Sequence, residues 1–305
     1  MKEVKSKGIL TNLSQDFVSP VFNYKGLEGK KFKQKTLAQS AVLYGHGVHT
    51  GKKSGLVLEP LPENSGIQFV NVNNLQKIIP AHVDYVDSTK LCTILRRENA
   101  SVSTIEHLMS ALYAHGITNL QVKCNEEVPI LDGSAEEFCT LFSDVGIKEQ
   151  DQYIHAIKIE KEYRIGNDSE FIKIEPAETF TVDYTLNYPE PLGTQNFTYK
   201  LTTYQDYIEN IAGARTFGFV KDIGALQDQG LAQGGRFNNF VLLGEKGAIN
   251  SELRFPNEAV RHKVLDAIGD LYLLGRPLQG KVTACMTGHS DNVELLKLIL
   301  KDLTL

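Results

Sequence analysis

Twice along this 305-residue chain, short alternating strands lead into a helix with a histidine near its start, then a glycine stop and a further strand. The first such helix carries Glu106-His107 and stops at Gly116; the second carries Arg261-His262 and stops at Gly275. Apolar residues with period two mark half-buried strands, and apolar residues three and four apart mark the buried stripe of a helix. An order of elements used twice predicts an α+β fold of two related domains, each layering helices against β-sheets. If groups from both helices act together, the site lies at the domain interface, a common place for pockets.

The expected boundaries are an N-terminal extension over 1–35, a first domain over 36–150 and a second over 151–305. The polar stretch Glu149 to Gln152 is the candidate linker. The first domain reads as strands near 41–44, 55–59 and 67–70, a helix over 103–115, a strand over 119–124 and a helix from 134. Ser103-x-x-Glu106 has capping-box spacing, and Ser134 reads as a second helix cap. The second domain reads as strands over 154–163, 171–175 and 181–186, and two short helical stretches around a loop at 213–219. A long helix over 257–274, a strand over 280–286 and a closing helix over about 292–300 complete it.

Composition narrows the function classes. At 42% hydrophobic and 23% charged residues, the chain has material for real cores and a soluble surface. A net charge of -5 argues against a nucleic-acid partner, which usually requires a basic face. Lys30, Lys31, Lys33 and Lys35 cluster, but in a polar lead-in that reads as a solvated arm. No apolar run is long enough for a transmembrane segment, and the N-terminus lacks the apolar core of a secretory signal. Cys92, Cys124, Cys139 and Cys285 form no C-x-x-C pair, which suits reduced thiols in a cytoplasmic protein.

The segment Arg261 to Asp270 carries the most chemical information. On a helix, His262 and Asp266 stack one turn apart on one face, with Asp270 a further turn along. Such a pair serves either as ligands to one ion or as a solvated ion pair, and the segment alone favours the ion pair. His107 is a candidate third ligand, since His/His/Asp with an open position suits a catalytic zinc. Glu106 beside it is either a base or the capping glutamate. His289, after a strand and a glycine, is either a general acid partnered by Asp270 or an ordinary loop histidine. His49, between Gly47 and Gly51, reads as a structural residue that bonds backbone in a tight turn. A nucleophile elbow, a P-loop, a dinucleotide-binding glycine motif and H-E-x-x-H are all absent.

Five segments in order give these residues a context. They are Gly45-x-Gly47-Val48-His49-Thr50-Gly51, Ser103-Thr104-Ile105-Glu106-His107-Leu108 and Glu127-Val128-Pro129-Ile130-Leu131-Asp132-Gly133-Ser134. Ala214-Arg215-Thr216-Phe217-Gly218-Phe219 and Arg261-His262-Lys263-x-Leu265-Asp266-Ala267-Ile268-Gly269-Asp270-Leu271 follow. Together they resemble the UDP-3-O-acyl-N-acetylglucosamine deacetylases of lipid A biosynthesis, over roughly residues 36–300.

The resemblance implies zinc (Zn2+) held by His107, His262 and Asp266, Glu106 as general base, and His289 as general acid oriented by Asp270. It implies that Thr216 helps hold the acetyl carbonyl oxygen and that Lys263 faces the diphosphate of a UDP-linked acylated amino sugar. Phe217, Phe237 and the segment through Leu243 would help form an acyl-chain passage. A cytoplasmic monomer with no nucleic-acid partner is expected. One departure stands out: where the family reads Lys-Ser-Gly-His, this chain reads Met286-Thr287-Gly288-His289, and Arg236 is the candidate substitute cation.

Overall fold

One order of elements runs through the chain twice in the computed structural model, which describes Tyr24, residues 28–75 and residues 77–304. A strand β1 (Glu28–Leu37) precedes a first unit of β2 (Ala41–His46), β3 (Lys53–Pro60), β4 (Ile67–Asn71) and β5 (Ile78–Pro80). An insert of β6 (Val86–Ser88), β7 (Ile94–Arg97) and β8 (Ala100–Ser103) comes next. Helix α1 (Glu106–His115), strand β9 (Leu120–Cys124) and helix α2 (Glu136–Val145) close the unit.

After β10 (Ile147–Lys158), the second unit begins with β11 (Tyr163–Gly166), β12 (Phe171–Glu175), β13 (Thr181–Asn187) and β14 (Thr194–Lys200). Its insert holds α3 (Tyr204–Tyr207), β15 (Phe217–Phe219), α4 (Val220–Asp228), β16 (Val241–Gly244) and β17 (Gly247–Ala248). The unit ends with α5 (Glu258–Leu271), β18 (Leu278–Gln279), β19 (Lys281–Cys285) and α6 (His289–Thr304).

The main sheets are ordered β2-β3-β9-β4-β5 and β11-β12-β19-β13-β14. In each, the last strand in sequence lies at the centre, antiparallel to the second strand and parallel to the third. Alternation builds these sheets: Leu56 and Leu58 on β3, Leu120 and Val122 on β9, Ile172 and Ile174 on β12, and Val182 and Leu186 on β13 all point into the core. The fold is α+β, as the repeated pattern implies. No helix among the described residues is long and apolar enough to cross a membrane.

Helices α1 and α5 lie against one another, and both are buried along nearly their whole length. A glycine permits the close approach. A Cβ on Gly269 would overlap the backbone carbonyl oxygen of Glu106, so any side chain there would drive the helices apart. The first turn of α1 is thereby pressed against the last turn of α5.

Several sequence expectations are corrected. Ser103 does not cap α1: it ends β8, and its side chain bonds the Glu126 carbonyl, while no side chain caps the helix. Thr104, at φ 57°, turns the chain sharply between strand and helix. Glu149 to Gln152, the candidate linker, lies within the first half of β10, which pairs with β1. Residues 28–35, including the four clustered lysines, accordingly belong to that ribbon rather than to an arm. Apart from Tyr24, residues 1–27 of the expected extension lie outside the described residues. The strand expected over 154–163 divides at Lys158, β14 was not anticipated, and α6 starts three residues early, at His289.

Candidate active site

The crossing of α1 and α5 collects the residues singled out from sequence. His107, His262 and Asp266 bring one ligand atom each to within 4.8 Å of one another, and all three are buried. His107 Nε2 and His262 Nε2 lie 3.6 and 3.4 Å from Asp266 Oδ1, with the two rings edge to face. His262 Nδ1 is 3.0 Å from the Ala214 carbonyl oxygen; it donates there, which leaves the Nε2 lone pair facing inward.

Does this cluster fit a metal? Asp266 Oδ1 is buried and has no hydrogen-bond partner among the described residues. A carboxylate oxygen in that state costs about 1–3 kcal/mol or more unless something satisfies it. Burial holds His262 neutral, at about 4. Burial alone would raise the Asp266 carboxyl, but His262, His107 and Lys263 around it hold it well below the usual carboxylate range. A neutral imidazole and an ionised carboxylate are the ligand states a divalent cation requires. The three residues fit a metal ion.

An acid–base set adjoins the cluster. Glu106 is buried and accepts from the backbone N–H of Thr93 at 3.1 Å. Burial raises its carboxyl, partly offset by His289 and His107. His289 Nε2 lies 3.8 Å from Glu106 Oε1, and its Nδ1 lies 2.7 Å from Asp270 Oδ2. As the first residue of α6, an imidazolium there works against the helix dipole. Burial also disfavours the charge, but Asp270 at hydrogen-bond distance and Glu106 beyond it win, and the ring is pushed up to about 10. Asp270 is itself tied down by Thr93 Oγ1 at 2.6 Å and Asn292 Nδ2 at 2.8 Å.

Beside this set lies a cavity of about 180 Å³. Glu106, His107 and Thr216 are among its polar lining residues, and Phe217 on β15, Ile223 and Leu226 on α4, and Phe240 among its apolar ones. Phe217 also packs edge-on against His262. His49 lines the same cavity; its ring meets the Leu91 backbone, its Nδ1 has no partner among the described residues, and its main-chain N–H donates to Glu127. Phe237 stays 74% exposed and is not part of the cavity wall. Lys263 Nζ is 3.6 Å from Asp266 Oδ2; burial opposes its charge, but Asp266, Tyr184 and Tyr188 hold it above the usual lysine range. Met286 sits at φ 56° with its sulfur accepting from the Asn187 N–H, and Arg236 is exposed.

Three supports were given no role from the sequence, although Glu127 and Arg215 stand within the third and fourth motifs. Thr93 is one. Glu127 is another: its carboxylate accepts from the His49 and Thr50 N–H groups and from the hydroxyls of Thr50 and Thr104. It also presses so closely on Gly47 that no side chain fits there, which explains a glycine of the first motif. The third is the buried Arg215–Glu258 pair, at 2.8 Å, which fixes the backbone between the Ala214 carbonyl and Thr216.

Fold and site together define an α+β protein of two repeats with a buried cluster able to hold a metal ion, flanked by an acid–base set and an apolar cavity. Residues 34–301 match the model of the LpxC family, UDP-3-O-acyl N-acetylglycosamine deacetylase, and the chain belongs to that family. It is 42% identical over 273 residues to the UDP-3-O-acyl-N-acetylglucosamine deacetylase of Wolinella succinogenes, covering 88% of this chain and 91% of that one. The Nautilia profundicola protein of the same name is 44% identical over 267 residues, with 87% and 91% coverage. That of Helicobacter pylori is 42% identical over 275 residues, with 88% and 92% coverage.

Proposed function

We propose that this protein is a zinc-dependent deacetylase that hydrolyses the N-acetyl group of a UDP-linked 3-O-acyl-N-acetylglucosamine, releasing acetate, in lipid A biosynthesis. The observation that carries the zinc reading is the unpartnered Asp266 Oδ1 between the Nε2 atoms of His107 and His262. The chemistry that zinc supplies when bound is Lewis acidity, which polarises a carbonyl and acidifies water.

The chain's own groups account for the remainder. Glu106 takes a proton from the attacking water as the C–O bond forms; the burial that raises its carboxyl suits a base working near neutrality. Thr216, which lines the cavity, hydrogen-bonds the carbonyl oxygen. His289, held as imidazolium by Asp270, gives its Nε2 proton to the sugar nitrogen as the C–N bond breaks. Lys263 offers positive charge to the diphosphate, and the apolar wall around Phe217 accommodates an acyl chain. The same reading makes the two repeats two domains, meeting within β10, of a monomer that works in the cytoplasm.

The test is acetate release from the UDP-linked acylated sugar by protein as purified, after chelation, and after zinc is restored. Turnover should be lost and then recovered; full turnover by metal-free protein would overturn the reading. Activity needs Glu106 ionised and His289 protonated. The plot of kcat/KM against pH should therefore rise through a group above the ordinary 4.5 and fall through one near 10.

A further inference from the structure

Thr93 is completely buried just ahead of β7, in the insert of the first repeat. Its two hydrogen-bond donors go to two different carboxylates. The backbone N–H donates to Glu106 Oε2 on α1 at 3.1 Å, and the hydroxyl donates to Asp270 Oδ1 on α5 at 2.6 Å. One residue thus holds the groups assigned above as the base and as the partner of the acid, each from a different repeat. A buried threonine commonly satisfies its hydroxyl on a nearby backbone carbonyl; this one spends it on a carboxylate far away in sequence. The bond is short for O–H···O and charge-assisted, the stronger class.

We infer that Thr93 is a positioning residue for the deacetylation, a clamp that sets Asp270 so that His289 keeps its proton on Nδ1 and aims Nε2 at the reacting nitrogen. The geometry leaves Asp270 little freedom. Oδ1 is taken by Thr93, and Oδ2 by Asn292 and His289. Without the hydroxyl, a buried carboxylate oxygen loses its only hydrogen-bond partner among the described residues, and the carboxylate can rotate away from the imidazole. The backbone N–H to Glu106 survives any side-chain change at position 93, so the two arms of the clamp are separable by mutation.

This inference rests on the deacetylase reading, and one of its tests does not need turnover. In the zinc-loaded full-length protein, Thr93→Val removes the hydroxyl at nearly constant shape. It should lower kcat by about 10- to 100-fold, the scale of one hydrogen bond to a charged group, with KM within about twofold and metal content unchanged. Thr93→Ser should restore kcat to within about threefold of the parent, since it keeps the donor. In an Asp270→Asn background, Thr93→Val should cost less than about twofold, because the residue it acts through is already gone.

Proton NMR of the 15N-histidine-labelled protein should show a protected His289 Nδ1 proton in the parent and in Thr93→Ser, lost to exchange in Thr93→Val. Equal cost of Thr93→Val in both backgrounds, or an unchanged Nδ1 proton in that variant, overturns the clamp. If the parent turns over no substrate, the deacetylase reading fails, and the Nδ1 proton alone decides whether Thr93 sets the Asp270–His289 pair. Should Thr93→Val not fold, Thr93→Ala with the same spectrum makes the decision.

Discussion

In the first repeat the helix leading to the central strand, α1, carries Glu106 and His107, whereas its counterpart α5 carries His262, Asp266 and Asp270. The sheets around them have matching strand orders. The inserts do not match. The first is a small sheet that delivers Thr93 to the buried carboxylates, and the second adds Thr216, Phe217 and the apolar wall of α4. Layering a helix on a sheet requires only a pattern of apolar residues, so two copies of it tolerate different polar residues where the helices meet. The repeated part supplies the frame and the unrepeated parts supply the chemistry.

Removing one ligand from each repeat is the harshest way to break this comparison. His107→Ala and His262→Ala should both lose bound metal and measurable turnover, because neither helix alone offers three ligands. Glu106→Gln should keep its metal while kcat falls by about 10²–10⁴-fold, the usual scale for a general base. Metal analysis alongside acetate release separates the two outcomes. Retention of full metal by both histidine variants would mean that the repeats do not share a site.

A smaller effect tests the contact between the repeats rather than the chemistry. Gly269→Ala places a methyl against the Glu106 carbonyl, and overpacking of this kind costs about 1–3 kcal/mol. Gly224→Ala, on the exposed helix α4 with nothing near the added carbon, should instead stabilise by up to about 1 kcal/mol. Denaturant unfolding of the two variants gives the sign of each. Equal effects would remove the close α1–α5 approach as the feature that assembles the site.

The smallest expected effect lies in the connection from the last strand to the last helix of each repeat. In the first repeat this connection carries Glu127, with its four hydrogen bonds. In the second it carries Met286, whose sulfur accepts from the Asn187 N–H. Met286→Lys should lower KM for the UDP-linked substrate by about threefold to tenfold, more at low salt than at high salt. Should KM and its salt dependence not move, Lys263 or another cation already serves the diphosphate.

The spacing of His262, Asp266 and Asp270 was legible in the sequence because a helix places residues four apart on one face wherever it sits in a fold. The repeat of strands and helix was legible for the same reason, since period-two and period-3.6 patterns are local. Glu106 was not decidable: Ser103-x-x-Glu106 spells a capping box until Thr104 turns left-handed and assigns Ser103 to a strand. The ribbon of β1 and β10 reads as an arm and a linker because much of it is exposed and shows no sustained alternation. Phe237 enters only through the resemblance, and the packing of its segment turns it outward. Thr93 carries no pattern at all, because its partners lie on two helices in different repeats. Periodicity along the chain thus determined which residues share a face. Which faces meet was decided by tertiary structure, since the approach of α1 to α5 at Gly269 depends on contacts between segments far apart in sequence.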